Sequence, residues 1–144
     1  MAVGDACSRE VVSLRATQSL AEVREWLAAA GATSRHQGFP VLGDDDQLTG
    51  VVTRRDLLDA NQSGELLVGA LLRRPALVVR EDHTLREAAD HMVEADVGRL
   101  VVMGGAGMRQ MVGIITRGDL LAAHAGRLRE ARRASRHIGG SKAA

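Results

Sequence analysis

The stretch MVGIITRGDLLAA, residues 111–123, repeats a stretch that stands earlier in the chain, LTGVVTRRDLLDA, residues 48–60. Seven of the thirteen positions carry the same residue. In both copies a run of β-branched apolar residues precedes a threonine and Arg-x-Asp-Leu-Leu, which predicts a short buried strand that leads into a helix. Each copy therefore places a hydroxyl, a helix N-terminus and a carboxylate at one point of the fold.

The similarity extends outward from this stretch to nearly the whole chain. Residues 3–22 match residues 68–87 at an offset of 65, and the repeated stretches match at 63. Between them, the identities of Gly38 with Gly98 and of Val41 with Val101 indicate an offset of 60. Duplicated units of about 60 residues rarely bury their apolar faces alone. We therefore expect one domain of two halves, 3–62 and 63–125, related by a pseudo-twofold axis, with a basic C-terminal helix and frayed tail over 126–144.

The composition excludes several classes of protein. The chain has 144 residues, 45% of them hydrophobic, and a formal charge of +1, so no strong field favours nucleic acid. With one Trp, one Phe and no Tyr, the chain lacks the aromatic side chains that stack on the bases of single-stranded nucleic acid. The single Cys7, which aligns with Leu72, indicates a small buried hydrophobe in a reducing compartment. No signal peptide and no apolar run of about 20 residues is evident, so we expect a cytoplasmic protein with no membrane span.

The hydrophobic pattern predicts the same elements in each half, and hence an α/β (α+β) fold. In the first half we expect a helical start at 3–9, an extended segment at 11–14, a helix at 19–30, strands at 39–42 and 48–53, and a helix at 54–60. In the second half we expect an extended segment at 77–79, a helix at 84–95, strands at 100–103 and 111–116, and a helix from 117 to about 137.

No catalytic or metal-binding constellation stands out. The chain has no P-loop and no Gly-x-Ser-x-Gly, and its five histidines lack metal-ligand spacing. Residues 44–46 are three aspartates on one predicted turn, where neighbouring carboxylates point apart and are better explained as solvated. The glycine-rich residues 104–107 join two strands, which indicates a turn and not a phosphate cradle. We expect no enzyme, no required cofactor and no bound metal.

The duplicated order of helix, strand, strand and helix, with Gly-h-h-Thr-x-x-Asp at the second strand–helix junction, resembles a tandem pair of CBS domains, or Bateman module. The resemblance covers residues 3 to about 125. More narrowly, residues 36–41 and 96–100 resemble the pairs on the cytoplasmic C-terminus of ClC-family chloride channels and transporters. This implies two β-α-β-β-α repeats with small three-stranded mixed sheets flanked by helices. It also implies homodimerisation through the helices, an attached or associated membrane transport domain, and an adenosine nucleotide (AMP, ADP or ATP) as regulatory ligand, with no nucleic acid.

The family places the motif aspartate of one half against the early strand and loop of the other, which defines two clefts. The first cleft, which the sequence favours, joins Asp119 for ribose, and Thr116 with the free N–H groups from Arg117 for phosphate, to the other half. Its predicted ligand-binding residues are Arg15, Ala16, His36, Gln37, Gly38, Phe39, Pro40, Thr116, Arg117 and Asp119. His36 stands where some relatives place an aromatic ring that stacks on adenine. Equally, Thr116 and Asp119 suit a purely structural helix cap.

The second cleft joins Asp56 and Thr53 to the second half. Its predicted ligand-binding residues are Thr53, Asp56, Val79, Arg80 and Arg99. With an offset of 60, Asp96 takes the stacking position, and a carboxylate both stacks poorly on adenine and repels phosphate. Arg99 would offset that repulsion. The sequence therefore ranks this cleft behind the first.

Three alternatives remain open at the level of sequence. The chain could be a dimerisation module that binds no nucleotide. It could sense Mg²⁺ through acids such as residues 44–46, Asp56 or Asp96. It could also be a transcription regulator that uses its basic tail, where residues 127–136 hold five arginines and one glutamate.

Overall fold

Two three-stranded sheets of the same topology form the centre of the computed structural model, which describes residues 1–30, 38–73 and 75–143. The first half contains α1 (Val3–Ala6), β1 (Leu14–Arg15), α2 (Leu20–Ala30), β2 (Gly38–Leu42), β3 (Leu48–Thr53) and α3 (Arg54–Leu57). The second half contains a 3-10 helix (Val68–Leu71), β4 (Val78–Arg80), α4 (Leu85–Ala95), β5 (Arg99–Gly104), a 3-10 turn (Ala106–Met108), β6 (Gln110–Thr116) and α5 (Arg117–Ala143).

The strand pairing is the same in both sheets. The orders are β1-β2-β3 and β4-β5-β6, in which the first pair is parallel and the second is an antiparallel hairpin. Each hairpin carries a register irregularity at the same place, after Val41 and after Val102. The predicted α/β fold, with two small mixed sheets flanked by helices, is confirmed.

The pairing corrects the offset between the middle strands. Val41 lies opposite Gly50, and Val102 lies opposite Gly113, the equivalent glycine of the second half. The offset of β2 to β5 is therefore 61 and not 60, and Gly38 is equivalent to Arg99. The identity of Gly38 with Gly98 had suggested the wrong alignment, because glycine recurs in this chain while the register is fixed by the hairpin and its bulge.

The helix that follows each motif has a very different length. A helix was predicted to Ala60, but α3 ends at Leu57 after one turn. Asp59, Asn61 and Ser63 then form local side-chain-to-backbone turns, in which Asp59 accepts from the Asn61 N–H and Ser63 from the Glu65 N–H. In contrast, α5 runs 27 residues to Ala143, beyond the predicted end near 137 and through the segment expected to fray.

The segment that begins each half packs on the other half, and we call residues 3–8 and 68–73 the exchanged segments. The N–H groups of Val3 and Gly4 donate to the carbonyls of His83 and Glu81, and Val3 belongs to the core of the second half. The segment equivalent to it donates from Val68 to Gln18, so that Val68 belongs to the core of the first half. This exchange ties the two cores together.

Each core is formed by one sheet, its first long helix and the exchanged segment. The first contains Leu14, Leu20, Val23, Leu27, Phe39, Val41, Val52, Leu57 and Val68. The second contains Val3, Val79, Leu85, Ala88, Met92, Leu100, Val102 and Ile115. In the part of the chain that the structure describes, no helix has the length and apolarity needed to cross a membrane.

Candidate functional site

The two Thr-x-x-Asp motifs form the same reciprocal hydrogen-bonded cap. In the first half the Thr53 N–H donates to Asp56 Oδ2 at 3.0 Å, and the Asp56 N–H donates to Thr53 Oγ1 at 3.1 Å. In the second half the corresponding Thr116 and Asp119 distances are 2.9 and 3.1 Å. Each motif is therefore a capping box. The cap engages one carboxylate oxygen, and the described residues give Oδ1 of Asp56 no hydrogen-bond partner.

A cavity of about 640 Å³ opens beside the first of these caps. This volume lies within the range of roughly 300–1,000 Å³ that is typical of small-molecule sites. Its wall comes from both halves of the chain and consists of Val51, Thr53, Asp56, Asp59, Gln62, Leu71, Arg73, Pro75, Ala76, Leu77, Val97, Gly98 and Arg99. It coincides with the second cleft.

Three features of the fold position this wall. β3 ends at Thr53 and delivers the cap, while the end of the 3-10 helix and the chain before β4 deliver the apolar side at Leu71, Pro75, Ala76 and Leu77. The chain after α3 is held by Arg24 of α2. Its guanidinium donates to the carbonyls of Leu57 at 2.8 Å, Asp59 at 2.8 Å and Gln62 at 3.0 Å. Arg24 thereby fixes the segment that brings Asp59 and Gln62 to the cavity.

The cavity combines an apolar side with charges of both signs. Six of its residues are apolar, namely Val51, Leu71, Pro75, Ala76, Leu77 and Val97. Two carboxylates, Asp56 and Asp59, face the same space as two guanidinium groups, Arg73 and Arg99. Among the described residues, no group of three or more His, Cys, Asp or Glu side chains is placed to hold a metal ion.

Several residues predicted for the first cleft have other contacts. Arg15 lies opposite Leu42 at the hairpin end of the sheet, where it pairs with Asp46. Ala16 packs against Gly69 of the exchanged segment. Phe39 is 0% exposed in the first core and contacts Trp26 edge to face, with ring centroids 6.2 Å apart. In this structure these three side chains are buried or engaged in other contacts, and their contact with a ligand stays a prediction.

The other residues predicted for the first cleft fall into three groups: outside the described residues, buried in β2, or in the cap of α5. His36 and Gln37 lie outside the described residues. Gly38 and Pro40 are buried in β2. Thr116 and Asp119 form the cap at the start of α5.

The N–H of Arg117, predicted to be free for phosphate, donates to the carbonyl of Gly98 at 3.0 Å. The N–H of Asp119 is engaged in the cap. The predicted N–H site for phosphate at the start of α5 is thus largely occupied by the protein itself.

Three of the five residues predicted for the second cleft line the cavity, and two do not. Thr53, Asp56 and Arg99 form part of the wall. Val79 is 3% exposed in the second core. Arg80 lies opposite Met103, four residues along β5 from Arg99, or about 13 Å at 3.3 Å per residue. There it forms a bidentate pair with Asp82, at 3.1 and 2.9 Å.

The corrected offset also removes Asp96 from the cavity. At an offset of 61 the residue equivalent to His36 is Val97, an apolar wall residue. Asp96 instead ends α4 in the left-handed conformation, with φ 53°, and is exposed. The acid that ranked this cleft second is therefore a helix cap. The apolar wall at Leu71, Pro75, Ala76 and Leu77 was missed, although Pro75 before an extended segment is a signal for an irregular chain.

A model of the CBS domain family matches residues 3–63 and 68–126. The chain belongs to the CBS domain family. It is a tandem CBS pair, as its two sheets and its duplicated motif indicate, and a pair of this kind is in general a regulatory, non-catalytic module.

This CBS pair is similar to an archaeal protein, a plant protein and the cytosolic domain of a channel. An uncharacterized protein of Methanocaldococcus jannaschii is 30% identical over 128 residues, or 89% of this chain and 41% of that protein. CBSX2 of Arabidopsis thaliana, solved in complex with AMP, superposes with a TM-score of 0.69 and 28% identity, over 87% of this chain and 96% of that chain.

The cytosolic domain of the Mg²⁺ channel MgtE, solved in complex with ATP, superposes with a TM-score of 0.69 and 25% identity. The match covers 81% of this chain and 46% of that chain. The present CBS pair thus spans less than half of both the archaeal relative and the channel domain.

Proposed function

We propose that this CBS pair is a regulatory sensor that binds an adenosine nucleotide in the cavity beside Thr53 and Asp56. The observation that carries the proposal is the composition of one wall: an apolar side, a capping carboxylate with one oxygen left over, and two arginines, contributed by both halves of the chain. This is the set of groups that an adenine, a ribose and a phosphate require.

Each part of a nucleotide has a matching group in the cavity. Adenine is flat and apolar on its faces, and it fits between the apolar side chains of the wall, namely Leu71, Pro75, Ala76, Leu77 and Val97. The ribose hydroxyls donate to the Asp56 oxygen that the cap does not engage. The phosphate is attracted to Arg73 and Arg99, because guanidinium groups bind phosphate through paired, charge-assisted hydrogen bonds.

Two solved relatives support this choice of ligand. CBSX2 was solved in complex with AMP, and the MgtE cytosolic domain in complex with ATP. Both share the fold of this chain at 25–28% identity. The number of phosphates is open between AMP, ADP and ATP. The two carboxylates beside the two arginines repel additional negative phosphate groups, and they therefore favour the nucleotides with shorter phosphate chains.

The proposed mechanism is a shift between two packings of the halves. A ligand that contacts Thr53 and Asp56 of one half and Val97 to Arg99 of the other is bound more tightly in one relative arrangement. By reciprocal linkage, that arrangement becomes more populated when nucleotide is present. No chemical step is needed, because the output is the arrangement itself.

The proposed partners are a second copy of the chain and a membrane transport protein, on whose cytoplasmic side this chain would lie. Exposed apolar side chains on two neighbouring helices, Val93 of α4 and Leu121 of α5, suit contact with a second copy. The Mg²⁺ channel among the relatives supports a transporter as carrier. The narrower proposal of a chloride channel rests on the sequence resemblance alone.

The test is calorimetric titration with AMP, ADP and ATP of the wild-type chain and of two matched variants, Asp56→Asn and Asp119→Asn. Asparagine keeps an oxygen for the cap and removes the carboxylate charge, and the two caps have the same geometry. We therefore expect the two variants to alter the fold to a similar extent, which thermal unfolding of both checks. We expect Asp56→Asn to weaken nucleotide binding by about tenfold or more.

The two variants also separate the two clefts. Loss of binding in Asp119→Asn alone would move the site to the first cleft, which the sequence favoured. Absence of heat with every nucleotide would overturn the proposed function and favour a dimerisation module that binds no nucleotide, which sedimentation of the same samples would reveal.

A further inference from the structure

The side chain of Arg99 lies directly over Gly38 of the opposite half. A Cβ placed on Gly38 would come within 2.7 Å of Arg99 Cδ, and would also collide with Nη1. Real Cβ atoms do not approach other heavy atoms so closely. The guanidinium of Arg99 can therefore occupy its place in the cavity wall only because residue 38 has no side chain.

Gly38 and Arg99 are also equivalent positions of the repeat. Gly38 lies opposite Thr53 at the start of β2, and Arg99 lies opposite Thr116 at the start of β5. Two equivalent residues that touch each other must lie beside the pseudo-twofold axis. Two arginines there would repel each other and compete for one space, whereas one arginine and one glycine fit. The pseudo-twofold symmetry of the two halves is thus broken beside its axis.

Among the residues that the structure describes, the other two strand arginines and Arg24 of α2 have partners, while Arg99 has none. Arg15 pairs with Asp46, Arg80 pairs with Asp82, and Arg24 binds three carbonyls. Within the described residues, the half-buried Arg99 makes no side-chain hydrogen bond or ion pair, and it lines the cavity. A partly desolvated cation of this kind is stabilised by an anionic ligand.

We propose that the Gly38–Arg99 pair makes the two clefts inequivalent, so that Arg99 recognises the phosphate of a single nucleotide in the second cleft and Gly38 acts as a specificity-determining residue. This inference rests on the proposed function and deepens it. It assigns most of the preference for a phosphorylated ligand over the bare nucleoside to Arg99, and it assigns the stoichiometry of one ligand per chain to the asymmetry at the axis.

The test compares AMP with adenosine, which lacks the phosphate. Calorimetry on the full chain would give the dissociation constants and the stoichiometry for wild type, Arg99→Gln, Arg99→Lys and Gly38→Ala. The control is Gly126→Ala, because a Cβ added there meets nothing within 4 Å. Thermal unfolding of each variant shows whether it is folded. The expected cost of Gly38→Ala to the fold is small, because the colliding atoms belong to the outer part of a long side chain.

We expect the wild type to bind one AMP per chain, with adenosine weaker by about 10- to 100-fold. Arg99→Gln should remove most of the difference between AMP and adenosine, with Arg73 keeping the remainder, and leave adenosine unchanged, while Arg99→Lys restores part of the difference. Gly38→Ala should shift the ratio in the same direction, because it displaces Arg99. Gly126→Ala should bind as the wild type does.

Each contrary result has a distinct meaning. Equal affinity of the wild type for AMP and adenosine, two AMP per chain, or an unchanged ratio in Arg99→Gln would overturn this inference and leave the proposed function standing. An unchanged ratio in folded Gly38→Ala would overturn the role of Gly38. Binding of neither ligand by the wild type would overturn the proposed function and this inference with it.

Discussion

The two exchanged segments cross the last strand of the opposite sheet in different ways. At Ile114 of β6, Ser8 donates its N–H to the carbonyl at 2.9 Å and accepts the Ile114 N–H at 3.0 Å. At Val51, the equivalent residue of β3, the described residues show no such bridge to Arg73, and both line the cavity. Two sheets of one topology thus differ because backbone hydrogen bonds cover one strand edge, while a cavity opens at the other.

The helices that follow the two motifs show the same divergence. α3 ends after four residues, and Arg24 holds the chain that follows it. α5 continues for 27 residues, and the residue equivalent to Arg24 is Ala89. One motif therefore leads into a clamped turn that reaches the cavity, and the other into a long helix.

The largest expected effect is a difference in stability between two variants that each add a methyl group at one of the two strand edges. In Gly113→Ala the new Cβ would lie 2.5 Å from the Ser8 carbonyl oxygen and 2.9 Å from Cys7 Sγ. In Gly50→Ala its three nearest atoms would all belong to the Leu72 side chain, with Cδ2 at 2.6 Å. We expect Gly113→Ala to lower the free energy of unfolding by about 3 kcal/mol and Gly50→Ala by about 1 kcal/mol, because a bonded backbone yields less than a side chain.

Urea unfolding of both variants beside the wild type measures this difference. Equal losses of stability would show that the Ser8 bridge does not distinguish the two edges.

The clamp on the turn after α3 gives the next effect. Arg24→Ala leaves three carbonyls without their donor, and we expect a loss of about 2 kcal/mol in the free energy of unfolding. Arg86→Ala on α4 is the control, because Arg86 is exposed, and its change should stay within about 0.5 kcal/mol. Chemical denaturation of the two variants is the measurement. A loss in Arg24→Ala no greater than that in the control would mean that the clamp contributes nothing.

The two caps should be equal in strength even though their helices are not. Thr53→Ala and Thr116→Ala each remove one side-chain acceptor, at 3.1 Å in both halves. We expect each to cost about 1 kcal/mol, and the two costs to differ by less than about 0.5 kcal/mol. Parallel thermal and denaturant unfolding would test this. A clearly larger cost at Thr116 would show that the length of the helix, and not the cap, sets the effect.

The smallest effect concerns Cys7, whose counterpart in the other half is Leu72. Burial raises the pKa of the Cys7 thiol above its ordinary value, while the nearby Arg9 opposes the shift. The folded chain then holds the thiol proton more tightly than the unfolded chain. The contribution of this group to stability is complete below the unfolded pKa and is lost as pH rises through the folded pKa.

Alkylation rates measured from pH 7 to pH 10 should therefore show slower reaction for the native chain than for the chain in urea. The two rates should approach each other at the alkaline end. Identical rates throughout would mean that the thiol is not shielded by the fold.

The repeated motif illustrates how far a local pattern reaches. Thr53, Asp56, Thr116 and Asp119 were identified from spacing alone, and all four form the reciprocal caps. The same spacing could not say which cap faces a cavity, because the cap geometry is the same in both. That depends on Arg73 and Val51, residues that are 22 positions apart and belong to different halves.

The sequence by itself determined the strand and helix order and the two capping boxes, because these depend on residues within a few positions of one another. It also determined the duplication, because the same local pattern occurs twice in the chain. The tertiary structure alone decided the offset of 61 between the middle strands, since register follows from hairpin geometry and burial and not from matching letters. It also decided the exchange of the leading segments, the clamp of Arg24 and the contact of Arg99 with Gly38. Each of these joins residues far apart in sequence, where no local periodicity carries a signal.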